Sequence, residues 1–138
     1  MIDGDVFTGP QAAFVGAQRV AHLGTVLPDG TPHVIPVSTV LDLNRIVFAS
    51  DRGVRKVRNL RMNPNVCICF DEYTEEWTEL KQVVVFGEAY VVESGPEFER
   101  DRRLLYGTYP QYESVAPIDA ESSVIVEVRA DRVVSSGV

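Results

Sequence analysis

Short β-branched, apolar runs recur along this chain, and most are separated by tight-turn signals; this pattern constrains the fold more than any other feature. Residues 21–27 read as a strand and are followed by Pro28-Asp29-Gly30, a hairpin turn. Residues 31–42 read as a second strand, interrupted by Pro32 and Pro36, each of which removes a ladder donor and so favours an edge or a bulge. Leu43–Asn44 turns the chain into a third strand at 45–50, and residues 65–71 read as a fourth. A long valine-rich strand follows at 80–93, where Gly87 marks a bulge or bend. Strands at 122–129 and 132–135, around a turn at Ala130–Asp131, close the chain. Helical patterns are few: 10–21 with Pro10 near its start, a segment after Gly53, and 96–109. Residues 72–79 read as an acidic loop with Tyr73 and Trp77, and 107–118 as irregular and tyrosine-rich.

Neighbouring strands joined by tight turns pair antiparallel. The expected fold is therefore mainly β: six or seven antiparallel strands with two or three short helices. Curling into a barrel is the cheapest way for such a sheet to remove its edges. The strand–helix alternation of a doubly wound parallel sheet is absent. No repeat or linker interrupts the 138 residues, so one domain spanning 1–138 is expected, with 1–9 as a loose arm.

Composition excludes several functions. The net charge is −7, which argues against a nucleic-acid partner. No apolar run approaches the roughly 20 residues of a membrane span. The N-terminus lacks the basic and apolar regions of a signal peptide, so the expectation is a cytoplasmic protein with no membrane partner. Cys67 and Cys69 fall on one face of a strand, poorly placed to bridge each other. Neither His22 nor His33 stands at a metal-ligand spacing from them, so no metal site is expected. Arginine outnumbers lysine eleven to two, a skew that folding does not require and that commonly marks a GC-rich genome.

Against that acidic background, Arg52, Arg55, Lys56, Arg58 and Arg61 crowd into one short segment. Gly53 follows a strand and opens a helical pattern, so the cluster sits at a strand-to-helix junction. Free backbone N–H groups and the positive end of the helix dipole suit a phosphate there. A solvated basic helix face is the other reading of such a run.

The order of motifs carries a resemblance. Gly24-Thr-Val-x-x-Asp-Gly-x-Pro-His-Val-x-Pro-Val37, Ile46-Val-Phe-Ala-Ser50 and Arg55-Lys-Val-Arg-Asn-Leu-x-x-Asn-Pro-x-Val66 follow one another. Together they resemble the pyridoxamine-phosphate-oxidase-like superfamily, and within it the small flavin/deazaflavin oxidoreductases of the split β-barrel fold. The acidic loop with Trp77 and the strand leading to Gly87 fit the same group. The resemblance implies a homodimer with cofactor sites in the grooves between subunits. It implies that Arg55 and Lys56 contact a cofactor phosphate, that Ala49 and Ser50 add contacts beside them, and that Arg52 is a further cation. Pro36, Val37 and Ser38 would line the ring through their backbone. Val54 stands where relatives often carry serine, so one hydroxyl contact is missing.

The implied cofactor is FMN or the deazaflavin coenzyme F-420, with a hydride passed to a small organic redox acceptor. Pyridoxamine phosphate oxidation itself is set aside, because the segment 129–138 lacks the arginine-rich end those enzymes use. No side chain is required as nucleophile or base, so no catalytic residue is assigned. A flavin- or deazaflavin-binding or storage module without turnover is the alternative. A haem-sequestering protein is a third reading, for which only the two histidines offer an axial ligand. Tyr73, Trp77 and Tyr109 are expected as core or interface aromatics before ring-stacking ones, and His33 as exposed or dimer-facing.

Overall fold

The computed structural model describes residues 5–138. Its strands are β1 (Ala21–Val26), β2 (Pro32–Val37), β3 (Val40–Asp42), β4 (Arg45–Asp51), β5 (Asn65–Glu72), β6 (Lys81–Val92) and β7 (Ser123–Ser136). All pair antiparallel, in the order β2-β1-β5-β6-β7-β4-β3.

The expected split β-barrel is not what forms. The sheet is open, with β2 and β3 as its edges and no ladder joining them. β2 offers few donors, since Pro32 and Pro36 have no N–H, and the three residues of β3 are too few to hold a second neighbour. The two edges are nonetheless drawn together at one point. Only Ser38 and Thr39 separate β2 from β3, which limits the gap there to about 11 Å of chain. The sheet is therefore strongly curved but unclosed.

Two further expectations change. Residues 31–42 form two strands at opposite ends of the sheet order, split at Ser38–Thr39. Residues 123–136 form one continuous strand, and Ala130–Asp131 is not a turn. Asp131 is the extra residue of a β-bulge, because Phe86 faces Arg132 while Gly87 faces Ala130. Gly87 permits this kink: a Cβ there would lie 2.2 Å from the Arg129 carbonyl oxygen. The strand continues past Asp131 partly because the Ala130 N–H donates to the Asn44 carbonyl, 3.0 Å away.

Helix α1 (Gly9–Ala17) begins with a capping box between Thr8 and Gln11 and stops short of the expected residue 21, where β1 has already started. Residues 1–4 of the expected loose arm lie outside the described residues; farther along that stretch, Phe7 is buried in the core. Helix α2 (Arg55–Met62) buries Val57, Asn59 and Leu60. Helix α3 (Pro96–Thr108) buries Phe98, Asp101 and Leu105, one stripe at helical spacing. Helix α4 (Gln111–Val115) forms inside the stretch expected to be irregular. No helix among the described residues is long and apolar enough to cross a membrane.

Two apolar clusters result. The larger lies on the inner face of the sheet, around Leu23, Phe48, Ile68, Phe70, Val85 and Val126. The smaller lies between the outer face of β4 and β7 and the α3–α4 layer, around Val47, Ile125, Phe98, Leu105 and Tyr109. Coverage on both sides explains why Ile46, Val47 and Phe48 are all buried in succession. The rest of the outer face has no helix over it. One row runs Pro36, His22, Cys69, Val84, Val134, and a second Val34, Gly24, Cys67, Phe86, Arg132.

Candidate cofactor groove

Strand β4 ends at Asp51, and Gly53 turns the chain in the left-handed region at φ 74°. Val54 is the N-cap of α2 and supplies no side-chain acceptor. The first bond of the helix is from the Arg58 N–H to the Val54 carbonyl, 3.1 Å, so the three preceding amides have no capping partner. A serine would have satisfied one of them.

Beside this junction opens a cleft of about 300 Å³. Ala49, Ser50, Asp51 and Lys56 form one wall, and Tyr112 and Ile118 lie on the other. A second cleft of about 210 Å³, bounded by Ser38, Tyr109 and Gln111, shares Tyr112 and Ala116 with the first. The two adjoin at Tyr112 and Ala116 of α4 and together make up the candidate groove. Lys56 is half-buried and makes no ion pair among the described residues; burial lowers its pKa, and the nearby Asp51 carboxylate opposes that shift. An ammonium partly stripped of water and unpaired is stabilised by any anion that enters the cleft.

Of the eight residues expected to hold a cofactor, four line this groove: Ser38, Ala49, Ser50 and Lys56. Ser50 is buried, and its hydroxyl donates to the Asp51 carbonyl at 3.0 Å. Arg55 stands at the first turn of α2, exposed and without an ion pair among the described residues, but outside the cleft lining. Arg52 is engaged elsewhere: it pairs with Glu93 at 2.7 Å and donates to the Ala120 carbonyl at 2.6 Å. Val37 is packed in the inner core, and Pro36 is exposed on the outer face of β2. The structure therefore brings together the strand β4 and helix α2 members of the set, with Ser38 at a distance along the groove.

The opposite wall comes from a stretch that the resemblance marks as a substrate-selecting loop without naming site residues in it. Tyr112, Ala116 and Ile118 lie in that stretch, 107–118, whose tyrosines were the one signal in the residues themselves. Tyr109 is a core aromatic as expected, its hydroxyl donating to the Thr39 carbonyl at 2.6 Å. Tyr73 and Trp77 belong to neither core; Trp77 is 72% exposed at the β5–β6 hairpin and donates to the Tyr73 hydroxyl. The cleft beneath that hairpin is lined by Asp71 and Glu72 with a single cation, Lys81, and so does not suit a phosphate. Cys67 and Cys69 are free thiols whose pKa burial raises. No cluster of three or more histidine, cysteine or acidic residues among those described is arranged to hold a metal ion.

Comparison with known proteins adds the family. Residues 7–136 match the family model described as pyridoxamine 5'-phosphate oxidase. No curated protein matches the chain. Among solved structures, a conserved hypothetical protein from Mycobacterium tuberculosis shares 23% identity at TM-score 0.78, covering 96% of this chain and 86% of its own. An FAD-binding protein from Mesorhizobium loti shares 20% at TM-score 0.76, covering 94% of each chain. The haem storage protein of Vibrio cholerae shares 16% at TM-score 0.76, covering 88% of this chain and 89% of its own. These likenesses establish the fold, on which flavin and haem binders both occur. With nearly its whole length matched, the chain belongs to the pyridoxamine 5'-phosphate oxidase family.

Proposed function

We propose that this chain is a flavin- or deazaflavin-binding module that anchors FMN or coenzyme F-420 by a phosphate at the α2 end of the groove. The observation carrying the reading is the convergence there of unpaired Lys56, buried Ser50 and the uncapped first turn of α2. A phosphomonoester brings about −1.5 to −2 charges, which an ammonium and helix N-terminal amides accept through charge-assisted bonds. Exposed Arg55 adds positive potential beside the mouth. The aromatic and aliphatic middle of the groove, with Tyr112 and Ala116, gives a flat ring an apolar wall. Bound there, the cofactor would supply any redox chemistry; the side chains orient it and exclude water. Hydride transfer to a small acceptor is the catalytic extension of this reading.

The FAD-binding relative supports the flavin class. Haem is the weaker candidate, because neither His22 nor His33 lines the groove. His22 lies on the outer face of β1, and His33 stands on β2 with its Nδ1 buried and unpartnered.

The same reading includes a homodimer formed through the uncovered outer sheet face. Val34 is 63% and Val134 44% exposed there, in rows with Pro36, Val84 and Phe86. Exposed valines on a sheet face with no helix over it, beside His22 and Arg132, suit an association surface. Sedimentation of the protein and of Val34→Glu tests it: a dimer converted to monomer is expected, and a monomeric parent refutes it.

Fluorescence titration with FMN and with F-420 tests the binding site. Saturable binding lost in the Arg55→Ala, Lys56→Ala double variant is expected. Binding by neither compound, or equal binding by the variant, overturns the assignment. Single-turnover mixing of the reduced cofactor-loaded protein with candidate acceptors separates an enzyme from a carrier.

A further inference from the structure

The groove does not end at Ser38. A third cleft of about 390 Å³ shares Ser38, Tyr109 and Gln111 with the middle one and is walled at its far side by Arg19. In a chain with 20 acidic residues, no aspartate or glutamate lines either of these two clefts. The Arg19 end thus carries a cation and no acid, whereas at the other end Lys56 shares its cleft with Asp51.

Arg19 is oriented but unneutralised. Its Nη1 donates to the Thr108 carbonyl at 3.1 Å, in the last turn of α3, and its guanidinium lies 5.3 Å from the centre of the Tyr109 ring. Tyr109 is itself fixed through its hydroxyl to Thr39. Arg19 has no carboxylate partner among the described residues. One nitrogen held by a carbonyl leaves the other donors of a planar fork free, a geometry that matches a planar carboxylate. The Gln111 amide adds a neutral polar group, and Tyr112 with Val115 supplies an apolar wall between the two ends.

We propose that the far end of the groove is an anion subsite in which Arg19 binds the carboxylate of a small organic acid with an aromatic or aliphatic body. The acid's role as the second ligand of a cofactor-loaded groove rests on the reading above; the anion site does not.

Isothermal titration of the full chain tests it, with benzoate, its neutral counterpart benzamide, and inorganic phosphate as probes. Benzoate is expected to bind with the same affinity whether or not phosphate is saturating, and about tenfold more tightly than benzamide. Arg19→Gln removes the guanidinium while keeping a neutral side-chain amide at an exposed position. It is expected to weaken benzoate about tenfold while leaving phosphate unchanged. Gln111→Glu, at an exposed position, should give the same loss with Arg19 intact. The proposal fails if benzoate does not bind, binds no better than benzamide, competes with phosphate, or is indifferent to both variants. Lys56→Gln separates the two readings. Loss of phosphate with benzoate retained is expected, and a groove that takes benzoate but never phosphate refutes the cofactor anchor alone.

Discussion

Two regions of this protein concentrate cations, and they treat them in opposite ways. Behind α3, Arg45 pairs with Asp42, with Asp101 at 3.3 Å and with Glu127 at 2.7 Å, while Arg100 adds 3.0 Å to Glu127. Every charge there has an internal partner. Around α2, Arg52 and Arg61 share Glu93, but Arg55, Lys56 and Arg58 have no ion pair among the described residues. The first cluster is a fastening between β4, β7 and α3; the second is a surface that lacks its counter-ion. Cation density along the sequence does not distinguish them. Internal pairing does, and it divides the five-residue run into two structural arginines and three residues left for solvent or a ligand.

Breaking the first cluster should have the largest effect. Arg45→Met keeps the aliphatic stem but leaves Asp101, fully buried, and Glu127 with Arg100 as their remaining cation. A loss of about 3 kcal/mol is expected in urea denaturation. A midpoint unchanged from the parent would mean that the cluster fastens nothing.

The second region should give the reverse pattern. Arg55→Ala with Lys56→Ala is expected to weaken phosphate-bearing cofactors by about 2–3 kcal/mol. Its folding stability should change by less than about 0.5 kcal/mol, since neither side chain has a structural partner. If stability fell and binding did not, the contrast between the regions would be inverted.

How much of this contrast could be read from sequence depends on range. The run from Arg52 to Arg61 and its place after a strand and Gly53 are local, and both were legible. The pairing of Arg52 and Arg61 with Glu93 spans 41 and 32 residues, so nothing near them announced it. The strands were legible where alternation meets a marked turn, as at Pro28–Gly30. They were not where tertiary contacts decide. Ser38–Thr39 carries no glycine or asparagine, yet the chain breaks from one sheet edge to the other there, with the Tyr109 hydroxyl on the Thr39 carbonyl. Ala130–Asp131 looks like a turn but is a bulge, because Gly87 and Asn44 approach from other strands. The prolines that keep β2 at an edge are local and legible, but the brevity of β3 follows from the break at Ser38–Thr39, so the open sheet is not. The α4 wall of the groove packs against residues distant in sequence, and among its own residues only the tyrosines hinted at it.

The buried cluster also predicts a pH dependence that α2 should lack. Burial first, then the hydrogen bond and charge of the neighbouring Glu127, pushes the Asp101 carboxyl up from 3.8 to about 6. Between those values the folded chain keeps a proton that the unfolded chain has released. The stability tied to it is complete below the unfolded value and is lost as pH rises through about 6. Glu127, held below its ordinary value chiefly by its hydrogen bond with Asp101 and by Arg45, acts only at lower pH. Asp101→Asn removes the titrating group, so its stability relative to the parent should improve by about 1–2 kcal/mol between pH 4.5 and 7.5. Parallel denaturation profiles for the two proteins would show that the proton is not shared there.

The smallest effect sharpens the division within α2 itself. Glu93 is exposed and holds both Arg52 and Arg61, which keep its carboxyl below the usual range. Glu93→Gln should leave the denaturation midpoint nearly unchanged, as exposed ion pairs do. It also releases positive potential beside the uncapped end of α2. Phosphate affinity should therefore rise by roughly two- to threefold at low salt, and the gain should shrink as ionic strength increases. A gain that persisted in high salt would indicate that Arg52 or Arg61 had moved into contact with the anion. No gain at any ionic strength would mean that the groove does not feel these two arginines, leaving Lys56 and the helix amides as its whole attraction for a phosphate.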